Sequence, residues 1–268
     1  MYDKSWGGIL TSLSLPNKAY DYGNGIYNEH YSQYGYALYA VAVLGKSNPK
    51  FMKKYKEEIE YLVRDFANPS VNDKHFPVTR NKDWFYGHSW GSGMEEHFHN
   101  RYLQSSSEAI FGYYAVSLIG LAFGDETIYN WGRLLTATEI RSSKKYFQMI
   151  DNSVYPNSFA ANRMVGVLWD TKADYRTFEG VNPEYIHGLQ MLPFSPITED
   201  LLSKPFIRSD YSTITSTDAY NEYLSYMIMA QAVVNKPGAW NKFDTTSKIN
   251  YYRRNSKSNT LWWIATRA

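Results

Sequence analysis

Apolar positions recur at helical spacing over most of the chain. Residues 34–44, YGYALYAVAVL, are apolar and rich in small side chains, as in a buried helix. Residues 51–66 alternate Lys and Glu with Tyr, Ile, Leu and Val every three or four positions, which predicts one amphipathic helix. Residues 105–123, SSSEAIFGYYAVSLIGLAF, open on serines fit to cap a helix and stop at Gly124 and Asp125. Similar patterns cover 126–149 and 219–234. Between the helices lie long connections rich in Asn, Pro, Gly and rings, chiefly 68–101 and 155–196. Loops of that length in a compact domain usually carry function. The pattern predicts an all-α fold, a helical scaffold with elaborate loops at one end, as in an α/α toroid. A chain of 268 residues is short for twelve helices, so an incomplete barrel forming a single domain over 1–268 is expected.

Composition narrows the partners. The charge is nearly balanced, +2 from 28 basic and 26 acidic residues, which argues against a nucleic-acid partner held by a strong basic field. No apolar run approaches the roughly 20 residues of a membrane span, so no membrane partner is expected. With no cysteine, thiolate metal sites and disulfides are excluded. Rings make up 17% of the chain, with 25 Tyr and 8 Trp. Tyr and Trp pair an apolar face with a polar tip, which suits either a ring-rich core or a wet cleft for sugars. Residues 1–15 lack the basic start and apolar stretch of a signal peptide.

Four segments could carry chemistry. In NGIYNEHYSQYGY, Glu29 and His30 sit among Tyr27, Tyr31, Tyr34 and Tyr36 just before the buried helix. A carboxyl at such a junction can have its pKa raised, or can simply support the helix N-terminus electrostatically. In RNKDWFYGHSWGSG, Asp83, Trp84, His88 and Trp90 occupy a glycine-rich loop that reads as a sugar subsite or as packing. His97 and His99 follow as a lone H-x-H pair, too weak to indicate a metal, and none is expected. In LQSSSEAIFGYY, Gln104 and Glu108 share one face if the helix includes both, and Glu108 enters an otherwise apolar helix. The ordinary alternative is a capped first turn. The fourth segment, 163–199, embeds Asp170, Lys172, Asp174, Glu184 and His187 among aromatics, a pattern that fits a buried salt-bridge network better than direct catalysis.

Taken in order, WGGI, YGNGIYNEHYSQYGYALYAVAVL, VRDFANPS, RNKDWFYGHSWGSG, QSSSEAIFGYYA, GRLLTATEIRS, RMVGVLWDTKADY, NPEYIHGLQMLPFSPITE and NTLWWIATR resemble glycoside hydrolase family 81, the endo-β-1,3-glucanases. The resemblance implies an (α/α)6 catalytic domain, usually preceded by a β-sandwich domain that this chain lacks. It implies β-1,3-glucan as partner, hydrolysis with inversion, no metal or organic cofactor, and an extracellular or cell-wall setting. It places the general acid at Glu29, where the family motif Asn-Asp-His-His-Phe-His-Tyr-Gly-Tyr carries Asp. It places the base in Glu-Ser-Ser-Ser-Glu, where Glu108 keeps the second carboxylate and Gln104 replaces the first. His30 and Tyr34 keep the family residues, while Tyr31 and Gln33 stand for histidines. Gln104, His30, Tyr34, Asp83, Trp84, His88, Trp90, Asp170, Lys172 and His187 are expected to bind sugar or support the site. The departures at Glu29 and Gln104 leave a second expectation, a glucan-binding module with impaired hydrolysis.

Overall fold

The computed structural model describes residues 1–150, 153–217, 222–251 and 255–268. Helices dominate among them, so the fold class is the all-α one expected. The chain divides into two compact units, Met1–Ser142 and Ser143–Ala268.

Two helices organise the first unit: α1, His30–Ser47, and the later Ser106–Phe123. Between them come α2, Pro49–Lys54, and α3, Lys56–Ala67, so Ser106–Phe123 is α4. Ser105 caps α4 by accepting the Glu108 N–H at 3.4 Å, and Gly124 closes it in the left-handed conformation, φ 69°. The helix is apolar on nearly every side and correspondingly buried. By length and composition α4 would also pass as a membrane span, which corrects the sequence reading, but 72% of that stretch is buried within the protein. Each large aliphatic side chain so buried contributes roughly 1.5–3 kcal/mol.

α1 and α4 touch through glycines. A Cβ on Gly35 would lie 2.5 Å from the Gly112 Cα, and one on Gly112 would lie 2.2 Å from the Tyr31 carbonyl oxygen. The helices run in the same direction. Ser32 meets Glu108 near both N-termini, and Tyr39 meets Phe111 and Tyr114 further along, at ring separations of 4.8 and 6.4 Å. Both N-terminal ends therefore lie side by side. The far half of α1 is buried on one face only, since Val43 and Leu44 are exposed.

The single helix expected over 51–66 is instead α2 and α3, broken at Tyr55 (φ −111°, ψ 24°). The break lets two faces bury separately: Met52 fits against Gly45, while Ile59, Val63 and Phe66 face the core. α5, Glu126–Tyr146, ends short of the expected Met149. Its successors leave the helix for a bridge between Gln148 and Met164. Within the long connection 68–101, β1, Lys82–Asp83, pairs antiparallel with β2, His88–Ser89.

In the second unit, β3, Val167–Trp169, pairs antiparallel with β4, Ala173–Asp174. α6, Pro183–Leu189, follows. The helix expected over 219–234 begins partly outside the described residues; its described portion is α7, Leu224–Ala232, buried at every position. α8, Lys236–Thr245, and α9, Lys257–Thr266, pack on it. Trp263 of α9 donates its Nε1–H to the Met229 carbonyl at 2.8 Å.

Gly112→Ala would push the added methyl into the Tyr31 carbonyl and force the helices apart. A loss of roughly 1–3 kcal/mol is expected in a denaturant titration. A wild-type midpoint would show that this contact does not set the helix separation.

Candidate active site

Glu29 is delivered by a bent segment. Asp21, Tyr22, Tyr27 and Glu29 itself all have positive φ, with Glu29 at 50° as the N-cap of α1. Non-glycine residues in this region cost on the order of 1–3 kcal/mol each, so surrounding contacts must hold them. They do so from the loop after β2. The Glu29 N–H donates to the Gly91 carbonyl at 2.8 Å, and the Met94 N–H to Ile26 at 2.7 Å. Asn28 accepts the Gly93 N–H at 2.8 Å and donates to Glu95 at 2.9 Å. Gly91 leaves room for the acid, because a Cβ there would sit 3.2 Å from Glu29 Oε1. Tyr102 hydrogen-bonds the Glu29 side chain; burial and that carboxylate together push its phenol well above the usual range.

Glu108 stands in the first turn of α4, where the helix N-terminus favours negative charge. It is 7% exposed, and three hydroxyls orient its oxygens. Tyr36 and Ser32, both on α1, donate to Oε1 at 2.9 and 3.2 Å, and Ser105 donates to Oε2 at 3.2 Å. The two acids thus belong to adjacent helix N-termini, Glu29 at that of α1 and Glu108 at that of α4.

Gln104 lies off α4, one residue before its cap, so it does not share a helix face with Glu108 as the four-residue spacing suggested. It is half-buried at the end of the stretch that carries Tyr102. His30 is fully buried: Nδ1 lies 2.6 Å from Asp65, and Nε2 donates to the Asn24 carbonyl at 3.0 Å. Asp65 also accepts the Ile9 N–H at 2.7 Å. The Tyr34 hydroxyl is taken by the Ile9 carbonyl and by the Asn24 amide. These residues support the segment that carries Glu29 and do not face solvent.

The glycine-rich loop divides in the same way. Trp90 is buried, with its Nε1–H on Asp83 at 3.0 Å and the Arg101 guanidinium 4.7 Å from its ring. His88 is buried against Trp90, ring centroids 4.5 Å apart, with Nδ1 2.9 Å from the Ser142 hydroxyl. Of the two roles expected for Tyr34, His88 and Trp90, binding sugar or supporting the site, their burial fits the supporting one. Trp84 is half-exposed, 5.8 Å from the Trp131 ring, and Asp83 keeps partial exposure.

Asp170, Lys172 and His187 belong to the second unit. Lys172 pairs with Asp174 at 2.9 Å, and Asp174 also accepts the Trp169 Nε1–H. His187 is fully buried on Asp210 at 2.5 Å. Lys172 with Asp174 and His187 with Asp210 form ion pairs of the kind read from the segment, the first partly exposed and the second buried. Asp170 is half-exposed at the β3–β4 turn. Among the described residues no group of three His, Cys, Asp or Glu side chains is arranged to hold a metal. A surface groove of about 540 Å³ beside Arg64, Asp73 and Ile128 contains none of the expected site residues.

Asn24, Asn28, Ser32, Asp65 and Tyr102 were missed as functional supports. Ser32 and Tyr36 had a usable signal: spaced four apart on α1, they share the face that meets Glu108. Asn28, Asp65 and Tyr102 act across long sequence separations and left none, while Asn24 bonds residues 6 to 13 positions away through a bend that no periodicity marks.

A family model described as the glycosyl hydrolase family 81 C-terminal domain matches residues 1–264. A glucan endo-1,3-beta-D-glucosidase of Arthroderma benhamiae is 30% identical over 99% of this chain and 30% of its own length. A glucan endo-1,3-beta-D-glucosidase of Glycine max is 31% identical over the whole chain and 42% of its own length. The primary septum glucan endo-1,3-beta-D-glucosidase of Schizosaccharomyces pombe is 29% identical over 98% of the chain and 26% of its length. The chain thus spans well under half of each of these relatives. A solved glycoside hydrolase family 81 structure from Clostridium thermocellum superposes with a TM-score of 0.88 at 26% identity, covering 98% of this chain and 36% of that one.

Asp65→Ala would leave His30 and the Ile9 N–H buried without their partner. Removing one member of a buried pair costs about 3–5 kcal/mol, to be read from urea unfolding. A loss below roughly 1 kcal/mol, the range of an exposed pair, would show that this support carries little.

Proposed function

The chain belongs to glycosyl hydrolase family 81, and from that premise we propose that it hydrolyses internal β-1,3-glucosidic bonds of laminarin-type glucan with inversion. Both units would act together as one catalytic domain, since the family match runs through both. The observation that carries the reading is the pair of acids on touching, parallel helix N-termini, with Glu108 oriented by Ser32, Tyr36 and Ser105.

In this mechanism Glu29 gives its proton to the glycosidic oxygen as the bond to the anomeric carbon breaks. Glu108 takes a proton from a water whose oxygen forms the new bond from the opposite face. Such a water needs the carboxyls roughly 6.5–9.5 Å apart. Three hydroxyl donors favour a fixed carboxylate, as a general base needs. The Tyr102 hydrogen bond holds the Glu29 side chain in one orientation. Gln104, one residue before the cap, is placed in the proposal as a neutral holder of the water. Trp84 and Asp83, partly exposed, are proposed contacts to the sugar chain.

A second reading is a module that binds the glucan and has lost hydrolysis. It is favoured by Gln104 where the family motif carries a carboxylate, and by the longer acid at Glu29.

Laminarin incubation is expected to release short oligosaccharides with new reducing ends. Glu108→Gln should cut that rate by roughly 100-fold or more while retardation in a laminarin gel persists. Full activity in Glu108→Gln would remove it from the mechanism. Retardation by the unaltered chain without new reducing ends would favour the binding module.

A further inference from the structure

The turn that carries Trp84 joins two strands of two residues each, Lys82–Asp83 and His88–Ser89. A hairpin this short does not hold its shape alone. Glu139 of α5 supplies a restraint. Its Oε1 accepts from Lys82 Nζ at 3.1 Å and from the Ser89 hydroxyl at 2.6 Å. Lys82 and Ser89 are register partners across the hairpin, so one carboxylate oxygen ties both strands to the helix. The Ser89 hydroxyl also lies 2.8 Å from that of Tyr113 on α4.

Lys82 carries the restraint into the turn itself. Its ammonium donates to the Gly87 carbonyl at 2.8 Å and stands 5.8 Å from the centre of the Trp84 ring. The Lys82 and Glu139 side chains are both out of solvent. A buried ion pair is weak evidence for stability, since apolar residues of similar volume hold a core as well or better. An apolar pair cannot, however, bond the Gly87 carbonyl and the Ser89 hydroxyl. Other contacts of the hairpin run along the same helix: the Trp84 ring lies 5.8 Å from that of Trp131, and His88 Nδ1 lies 2.9 Å from the Ser142 hydroxyl.

Trp84, held in this way, keeps 49% exposure. A ring fixed before binding loses little freedom when a ligand covers it. The chain runs on from Gly87 to Gly91, whose carbonyl takes the Glu29 N–H. Four residues span at most about 14 Å, so the turn lies close to the contact that holds the acid. Resting on the reading of Trp84 as a sugar contact, we propose that Lys82 and Glu139 are positioning residues for glucan binding: their ion pair holds the turn that presents the Trp84 ring to the sugar chain.

The test compares variants of the full chain. Lys82→Met combined with Glu139→Leu replaces the pair by apolar side chains and should still melt cooperatively. It should raise KM for laminarin roughly two- to tenfold with kcat unchanged, because the ring must then be ordered at binding. Trp84→Ala should raise KM as well, and adding it to the double variant should bring no further loss, because the pair acts through that ring. A wild-type KM in the folded double variant overturns the proposal, and so do effects that simply add. Retardation in a laminarin gel reads the same comparison without cleavage, so the test survives a failure of hydrolysis. An unaltered chain that laminarin neither retards nor feeds would remove the functional reading, and this proposal with it. If the double variant does not fold, Glu139→Asp, which keeps the charge but shortens its reach, decides by the same two criteria.

Discussion

In the first unit Gly35 and Gly112 let α1 and α4 meet backbone against backbone, without side chains between them. Everything at the site depends on that contact. Parallel helices at this distance must present both N-termini at one end, and each N-terminus carries an acid. A side chain at either glycine would move Glu108 away from Ser32 and Tyr36, which fix its oxygens from the other helix. The second requirement is the bend before α1. A run of positive-φ residues turns the chain so that Glu29 caps the helix, and the loop after β2 holds that turn through main-chain hydrogen bonds. Local strain at an acid, fixed from outside the segment, is an arrangement found at functional sites.

The polar interior serves the same end. His30, Asp65, Asn24 and Tyr34 form a connected, fully occupied network beneath the bend. Buried groups of this kind are costly unless partnered, so they fix one conformation where an apolar core would permit several. In the second unit His187 is likewise buried against a carboxylate, Asp210.

Much of this was legible in the sequence, for identifiable reasons. The α4 boundaries follow from Ser105 and Gly124, which act within a few residues of themselves. Family membership followed from short motifs kept in order. The break at Tyr55 was hidden, because the Lys/Glu alternation continues straight through it and only the tertiary positions of Met52 and Ile59 require two axes. Whether Gln104 shares a helix face with Glu108 was open in the sequence, and the cap at Ser105 stops the helix short of it. Trp90, which the sequence left open between a sugar subsite and packing, is buried, because composition cannot distinguish a stacking platform from core packing. Tyr102 and Asp65 reach the site only through the fold.

Inverting hydrolysis requires that the two acids flank one bond with room for a water. The most direct measurement is their carboxyl separation in a crystal structure of the chain with a bound β-1,3-gluco-oligosaccharide. A spacing of roughly 6.5–9.5 Å, with Glu29 on the glycosidic oxygen and Glu108 on a water at the opposite face, is the predicted result. A spacing of about 5 Å, or a sugar bound away from either acid, would contradict it.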